Sequence, residues 1–98
     1  MPKKLKVAVV GATGAVGEAF LTVLQDRKFP VQTLYPLASA RSVGKTVGFR
    51  GQTLDILDLA EFDFSLADIA LFSAGGDLSQ EYAPKAVAAG CIVIDNSS

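Results

Sequence analysis

The chain has no histidine, no tryptophan, one cysteine and one methionine among its 98 residues. Lacking histidine, it lacks both the commonest general base near neutral pH and the commonest metal ligand, so no metal site is expected. A single cysteine cannot close an intrachain disulfide, which fits a reducing, cytoplasmic setting. Nine basic side chains face ten acidic ones, and a net charge of −1 argues against nucleic acid as the main partner. No apolar run approaches the roughly 20 residues of a membrane span. The basic start at Lys3 and Lys4 is followed by an apolar run that stops at Gly11 without a cleavage pattern, so it does not read as a secretory leader. What remains is a core-rich chain, 50% hydrophobic with a mean hydropathy of +0.38, of a size for one small domain.

The organising stretch is V-A-V-V-G-A-T-G-A-V-G, residues 7–17. A run of β-branched and small apolar residues meets Gly11, Gly14 and Gly17, and an amphipathic segment follows. Glycines let a backbone turn sharply and approach a diphosphate, while free N–H groups at a helix start point at the anion and the helix dipole adds positive charge there. The spacing is G-x-x-G-x-x-G, looser than the G-x-G-x-x-G dinucleotide fingerprint. A structural turn and a nucleotide site both fit such a string; the strand before it and the helix after it favour the site.

The rest of the chain alternates. Residues 5–10 read as a buried parallel strand, and 15–28 as a helix with Val16, Ala19, Phe20, Val23 and Leu24 on one face. Residues 31–37 make a second strand, whose Pro36 places its end near a sheet edge. Residues 46–49 and 53–57 flank Arg50-Gly51-Gln52 as an antiparallel hairpin, and the acidic stretch 55–68 reads as a solvated connection. A buried strand at 68–72, a helix at 78–89 kinked or split at Pro84 and capped by Gly90, and a strand at 91–94 complete the pattern. Strands alternating with helices predict an α/β fold, a Rossmann-like, doubly wound and mostly parallel sheet, here with an added hairpin.

Four small or polar stretches, 11–14, 39–42, 73–76 and 95–98, follow predicted strand ends. In an open parallel sheet that edge carries the ligand crevice. An NAD-preferring domain usually places a carboxylate about 20 residues past the glycines to hold the ribose 2′-hydroxyl. Here no acidic residue occurs between Asp26 and Asp55, and Ser39-Ala40-Arg41-Ser42 occupies the position. A guanidinium attracts a 2′-phosphate that a carboxylate would repel, and serine hydroxyls add hydrogen bonds. The expected cofactor is therefore NADP, although Arg41 also fits an ordinary exposed loop.

These residues together resemble the bacterial aspartate-semialdehyde dehydrogenase family. The motifs that carry the resemblance are the glycine segment, Ala38-Ser39-Ala40-Arg41-Ser42 with Gly44-Lys45, Leu71-Phe72-Ser73-Ala74-Gly75-Gly76, Ala83-Pro84 and Ile94-Asp95-Asn96-Ser97-Ser98. The resemblance implies an NADP-dependent oxidoreductase that reductively dephosphorylates β-aspartyl phosphate to aspartate semialdehyde, on the way to lysine, threonine and methionine. It also implies a homodimeric parent. By motif, Gly11, Thr13, Gly14, Ala15 and Val16 would serve the diphosphate, and Ser39, Arg41 and Ser42 the 2′-phosphate end. Ser73, Ala74 and Gly75 would line the cofactor, with Asn96 and Ser97 near nicotinamide and substrate.

The family's nucleophilic cysteine, acid/base histidine and substrate-gripping arginines lie beyond the Asn-Ser-Ser motif. Residues 1–98 are thus expected to be an N-terminal cofactor-binding portion, inactive alone, with the catalytic and dimerisation domain elsewhere. Cys91 opens an apolar strand with no histidine to activate it and reads as a structural thiol, so no catalytic residue is assigned. A non-catalytic homologue and a stand-alone NADP-binding module are the other readings. The intact serine–arginine and Asp-Asn-Ser-Ser motifs speak against the first, and an open reading frame running past residue 98 would dismiss the second.

Overall fold

The computed structural model describes residues 4–12, 15–27, 30–73 and 76–95, with only the backbone at 15–16 and 76–79. Strand β1 (Leu5–Val10) leads into helix α1 (Ala15–Asp26) and strand β2 (Val31–Ala38). A 3-10 turn at Ala40–Ser42 precedes a ribbon of β3 (Thr46–Phe49) and β4 (Gln52–Asp55). After β5 (Leu57–Asp58) come 3-10 turns at Leu59–Glu61 and Phe64–Leu66, then β6 (Ile69–Phe72), α2 (Gly76–Ala88) and β7 (Ile92–Asp95).

The main sheet has the order β5-β2-β1-β6-β7, and its pairings are all parallel. The chain begins at the centre, steps to one side through α1, and returns past β1 to build the other side. Strand order therefore reverses between β1 and β6, the switch point where open α/β sheets bind ligands.

Alternation along the strands sorts the core into two layers. Val7, Val9, Leu34, Ile69 and Leu71 pack with Leu21 and Leu24 of α1 and with Phe49 of the ribbon. Ala8, Val10, Leu37, Ala70 and Phe72 pack on the other face with Ala86 of α2, Phe64 and Cys91. The sheet is thus doubly wound, as expected. Val7, Val9, Val10, Leu37 and Phe72 are fully buried, each worth about 1.5–3 kcal/mol. On the α2 side Tyr35, Phe62, Phe64 and Phe72 form a chain of ring contacts at 5.1, 5.2 and 6.4 Å.

Several expectations need correction. The buried stripe of α1 is Gly17, Leu21 and Leu24, while Ala19 and Val23 are exposed and Phe20 is half-buried. The cause is Gly17: a Cβ there would collide with the Gly11 carbonyl oxygen and lie 2.8 Å from the Ala12 Cα. Only a glycine lets the helix close on the turn, and that contact sets the helix's rotation. The helix also ends at Asp26, not 28.

The hairpin closes through a two-residue turn, Arg50-Gly51, with φ of 52° and 78°, and pairs Thr46 with Asp55. Two successive positive φ values fit the twist of such a ribbon. Leu57 is released to join the main sheet beside Leu37. Pro36 lies inside β2, opposite Val9, where β5 covers only Leu37 and Ala38 on the far side. A residue without an N–H is tolerated on such an uncovered flank.

The acidic stretch is more than a solvated connection. Asp58 and Asp63 cap the two 3-10 turns, accepting from Ala60 N at 3.0 Å and Ser65 N at 2.9 Å. Ser65 holds the Asp63 carboxyl below the usual carboxylate range. Asp68 accepts from the Lys6 N–H at 2.9 Å and donates its own N–H to the Lys6 carbonyl at 2.7 Å, tying the start of β1 to that of β6.

Helix α2 is not split at Pro84 but runs as one element from Gly76 to Ala88. Pro84 lies on the exposed face, and so does Gln80, whose carbonyl the proline cannot serve. The helix ends as a Schellman motif: Gly90 N donates to Val87 O at 3.0 Å and Cys91 N to Ala86 O at 3.0 Å. The strands flanking α2 begin one residue later than expected, at Ile69 and Ile92.

Gly17→Ala is expected to cost at least about 3 kcal/mol of folding stability, the upper range for forcing a methyl into a filled space. Gly48→Ala is the control, since a Cβ there meets nothing within 4 Å. Urea titration of both variants checks this: a large midpoint shift for Gly17→Ala only.

Candidate functional site

Register brings the strand ends to one edge. Val10 lies opposite Leu37 on one side and Phe72 on the other, and Phe72 opposite Asp95. The four strand ends therefore stand side by side, and the described residues that follow β1, β2 and β6 leave the sheet there. Of the expected site residues, Gly11, Ser39, Arg41, Ser42 and Ser73 stand at this edge, and Ala15 and Val16 open α1 behind it. Thr13, Gly14, Ala74, Gly75, Asn96 and Ser97 lie outside the described residues.

The glycine turn is clamped by both neighbouring strands. The Leu37 carbonyl accepts from Gly11 N at 2.8 Å and Ala12 N at 3.1 Å. From the other side Ser73 N donates to Val10 O at 3.0 Å, and the Ser73 hydroxyl to Val10 O at 2.7 Å, 3.2 Å from Gly11 O. Gly11 itself has φ of 84°. With Gly17 pressed onto Gly11, the start of α1 is held directly behind the turn. The first N–H groups of a helix have no intrahelical partner, so this end offers donors and positive potential to an anion.

Next to it, β2 delivers the second part of the site. Ser39 precedes the turn, Ser42 N donates to Ser39 O at 2.9 Å and Val43 N to Ala40 O at 3.2 Å. None of Ala40–Ser42 is buried, and Arg41 is exposed. Lys45 N then donates to Ser42 O at 3.1 Å, and Lys45 O accepts from Ile56 N at 3.0 Å, joining this turn to the ribbon. The end of β2 thus presents a cation where many dinucleotide sites present a carboxylate. A diphosphate-bearing dinucleotide fits this frame: a turn closed by an obligate glycine, a helix start behind it, and a guanidinium one strand away.

Two contributors escape a reading by motif. The paired N–H groups on the Leu37 carbonyl depend on register, which residue types do not reveal. Arg50, which reads as one residue of a hairpin loop, donates from Nη2 to the Leu24 carbonyl at 3.1 Å. Gly17 was legible as the third glycine of the string, but not as the one that sets the helix.

Cys91 is buried, its thiol 3.1 Å from Phe64 O and 3.2 Å from Ala67 O. Burial, and secondarily the Asp68 charge, push it above the ordinary thiol range. That is the reverse of what a nucleophile needs. Among the described residues no group of three or more Cys, Asp or Glu side chains could hold a metal ion, and no helix is long and apolar enough to cross a membrane.

Comparison with known proteins gives a consistent picture. Residues 6–98 match the family model described as semialdehyde dehydrogenase, NAD binding domain. The whole chain is 74% identical to 28% of the length of an aspartate-semialdehyde dehydrogenase of Legionella pneumophila, and 53% identical to 29% of that of Bacillus subtilis. A crystal structure of aspartate semialdehyde dehydrogenase II from Vibrio cholerae, complexed with ASA, superposes with a TM-score of 0.95 at 56% identity. It covers 98% of this chain and 31% of that one. A probable aspartate-semialdehyde dehydrogenase from Pseudomonas aeruginosa gives 0.93 at 48% identity, over 97% and 28%. The chain therefore spans 28–31% of the length of these relatives.

Two outcomes follow from the geometry. Ser73→Ala removes a bond to the turn and should cost about 1 kcal/mol of stability, read by denaturant unfolding. Cys91 should resist iodoacetamide at mildly alkaline pH and react only on unfolding; rapid alkylation of the folded protein would contradict the burial. Because its folded pKa is raised, the thiol's stabilising contribution is complete below the ordinary thiol range and lost as pH rises through the folded value.

Proposed function

This chain belongs to the semialdehyde dehydrogenase NAD-binding domain family, and we propose that it is the NADP(H)-binding part of an aspartate-semialdehyde dehydrogenase. The observation that carries the choice of NADP is the end of β2. Its neighbour on one side is the glycine turn, bonded through Leu37, and the segment leaving it exposes Arg41 with no acidic residue from 27 to 54. A ribose 2′-phosphate reaching from a diphosphate at the turn would meet a forked cationic donor.

In this reading Gly11, Thr13, Gly14, Ala15 and Val16 hold the diphosphate, and Ser39, Arg41 and Ser42 the 2′-phosphate. Ser73, Ala74 and Gly75 line the cofactor, and Asn96 and Ser97 stand toward nicotinamide and substrate. When bound, the nicotinamide supplies hydride. The chain's own residues bind and orient it; its single thiol, Cys91, is buried with a raised pKa, and the sequence holds no histidine. The whole protein would reduce β-aspartyl phosphate to aspartate semialdehyde with loss of phosphate, as a homodimer in the cytoplasm, with its nucleophile and acid/base outside residues 1–98.

The test is the pair of dissociation constants for NADP and NAD, before and after Arg41→Ala. NADP should bind more tightly than NAD in the native protein. The variant should lose roughly 10- to 100-fold in NADP affinity, the worth of a charge-assisted hydrogen bond, and little in NAD affinity. Equal affinities in the native protein would refute the cofactor assignment.

A further inference from the structure

Arg50 lies at the far end of the β3–β4 ribbon from Arg41, yet it is tied down more firmly than a turn residue needs. Its φ of 52° is a conformation usually left to glycine or asparagine, so its surroundings must hold it there. Three contacts do so. Its backbone N–H donates to Gln25 Oε1 at 2.7 Å, and its Nη2 to the Leu24 carbonyl at 3.1 Å. Its guanidinium sits 5.1 Å from the ring centroid of Phe49, itself buried in the α1-side core. Leu24 belongs to the last turn of α1, where helix carbonyls run out of intrahelical donors, and that turn carries no basic residue of its own. Besides Arg27, which directly follows the helix, a cation at the C-terminal end of α1 is thus supplied from a segment 26 residues away.

The ribbon is a separate two-stranded sheet, an arrangement that is marginal without external support. Its inner face rests on α1 through Phe49, with Val47 and Leu54 half-buried beside it. Its near end is bonded to the turn that carries Arg41, through Lys45 N to Ser42 O and Ile56 N to Lys45 O. The ribbon thus links the C-terminal end of α1 to the end of β2. We infer that Arg50 is a positioning residue for cofactor selection: by fastening the ribbon to α1 it fixes where the 39–45 segment presents Arg41. The inference rests on the reading of Arg41 as the 2′-phosphate contact, but Arg50 itself touches no cofactor.

The experiment is a double-mutant cycle in the full-length protein, with NADP and NAD dissociation constants measured by calorimetry. Arg50→Ala should weaken NADP binding roughly three- to tenfold, the range for residues that modulate a site without contacting its ligand, and leave NAD within about twofold. Arg50→Lys, which keeps a donor for Leu24, should recover part of the loss. In an Arg41→Ala background Arg50→Ala should change NADP affinity by less than about twofold, because residues acting through one contact are not additive. If Arg50→Ala does not fold, Gln25→Ala, which leaves the guanidinium in place, should lower the same NADP-to-NAD preference. An unchanged preference, or an equal loss for both cofactors, while Arg41→Ala still abolishes selectivity, overturns the role of Arg50 alone. If Arg41→Ala leaves the preference untouched, the role of Arg41 falls and that of Arg50 with it.

Discussion

The structure depends on the contact between the start of α1 and the end of β1. Gly17 has no Cβ, so the helix closes onto the Gly11 carbonyl, and any larger residue would push it away. That one approach fixes three things. It places the helix start behind the strand edge, turns Gly17, Leu21 and Leu24 toward the sheet, and leaves the opposite end of α1 where Arg50 can reach it. The two N–H groups on Leu37 and the Ser73 bonds then hold the turn from either side. The start of α1 and the end of β2 are positioned by the same few backbone groups.

This arrangement divides the work. In the proposed function the turn and helix start would recognise what all nicotinamide dinucleotides share, a diphosphate, by backbone donors that carry no preference for one dinucleotide. The neighbouring strand end would recognise what distinguishes them, by the exposed Arg41 guanidinium where a carboxylate would favour the 2′-hydroxyl. Selectivity would thereby be separated from affinity, and the segment that would carry it is bonded to the ribbon through Lys45. The buried thiol at Cys91 stands apart from this edge and serves packing between α2 and β7.

Much of this was legible in the residues. Alternating apolar strands and helices gave the parallel sheet, because a strand covered on both faces must be apolar throughout, as Val7–Val10 are. The left-handed cap at Gly90 and the hairpin near Arg50 were legible from turn chemistry. The buried stripe of α1 was legible only in part: Leu24 is buried as expected, but Ala19, Phe20 and Val23 are apolar like Leu21. The close approach at Gly17 decides between faces, while the Val16 side chain lies outside the described ones. The hairpin's second strand runs from Gln52 to Asp55 rather than over 53–57, because Leu57 suits a strand equally well in either sheet. The caps at Asp58 and Asp63 were hidden in an acidic stretch whose composition suggests only solvation. The continuity of α2 through Pro84 depends on solvent reaching the carbonyl of Gln80, which composition does not state.

The most direct measurement is a crystal structure of the protein with NADP bound. The account places the diphosphate at the N–H groups between Gly11 and Gly17, and the 2′-phosphate within hydrogen-bonding distance of the Arg41 guanidinium. A dinucleotide seated elsewhere, or one seated at the turn with its 2′-phosphate in solvent and Arg41 directed away, would contradict it.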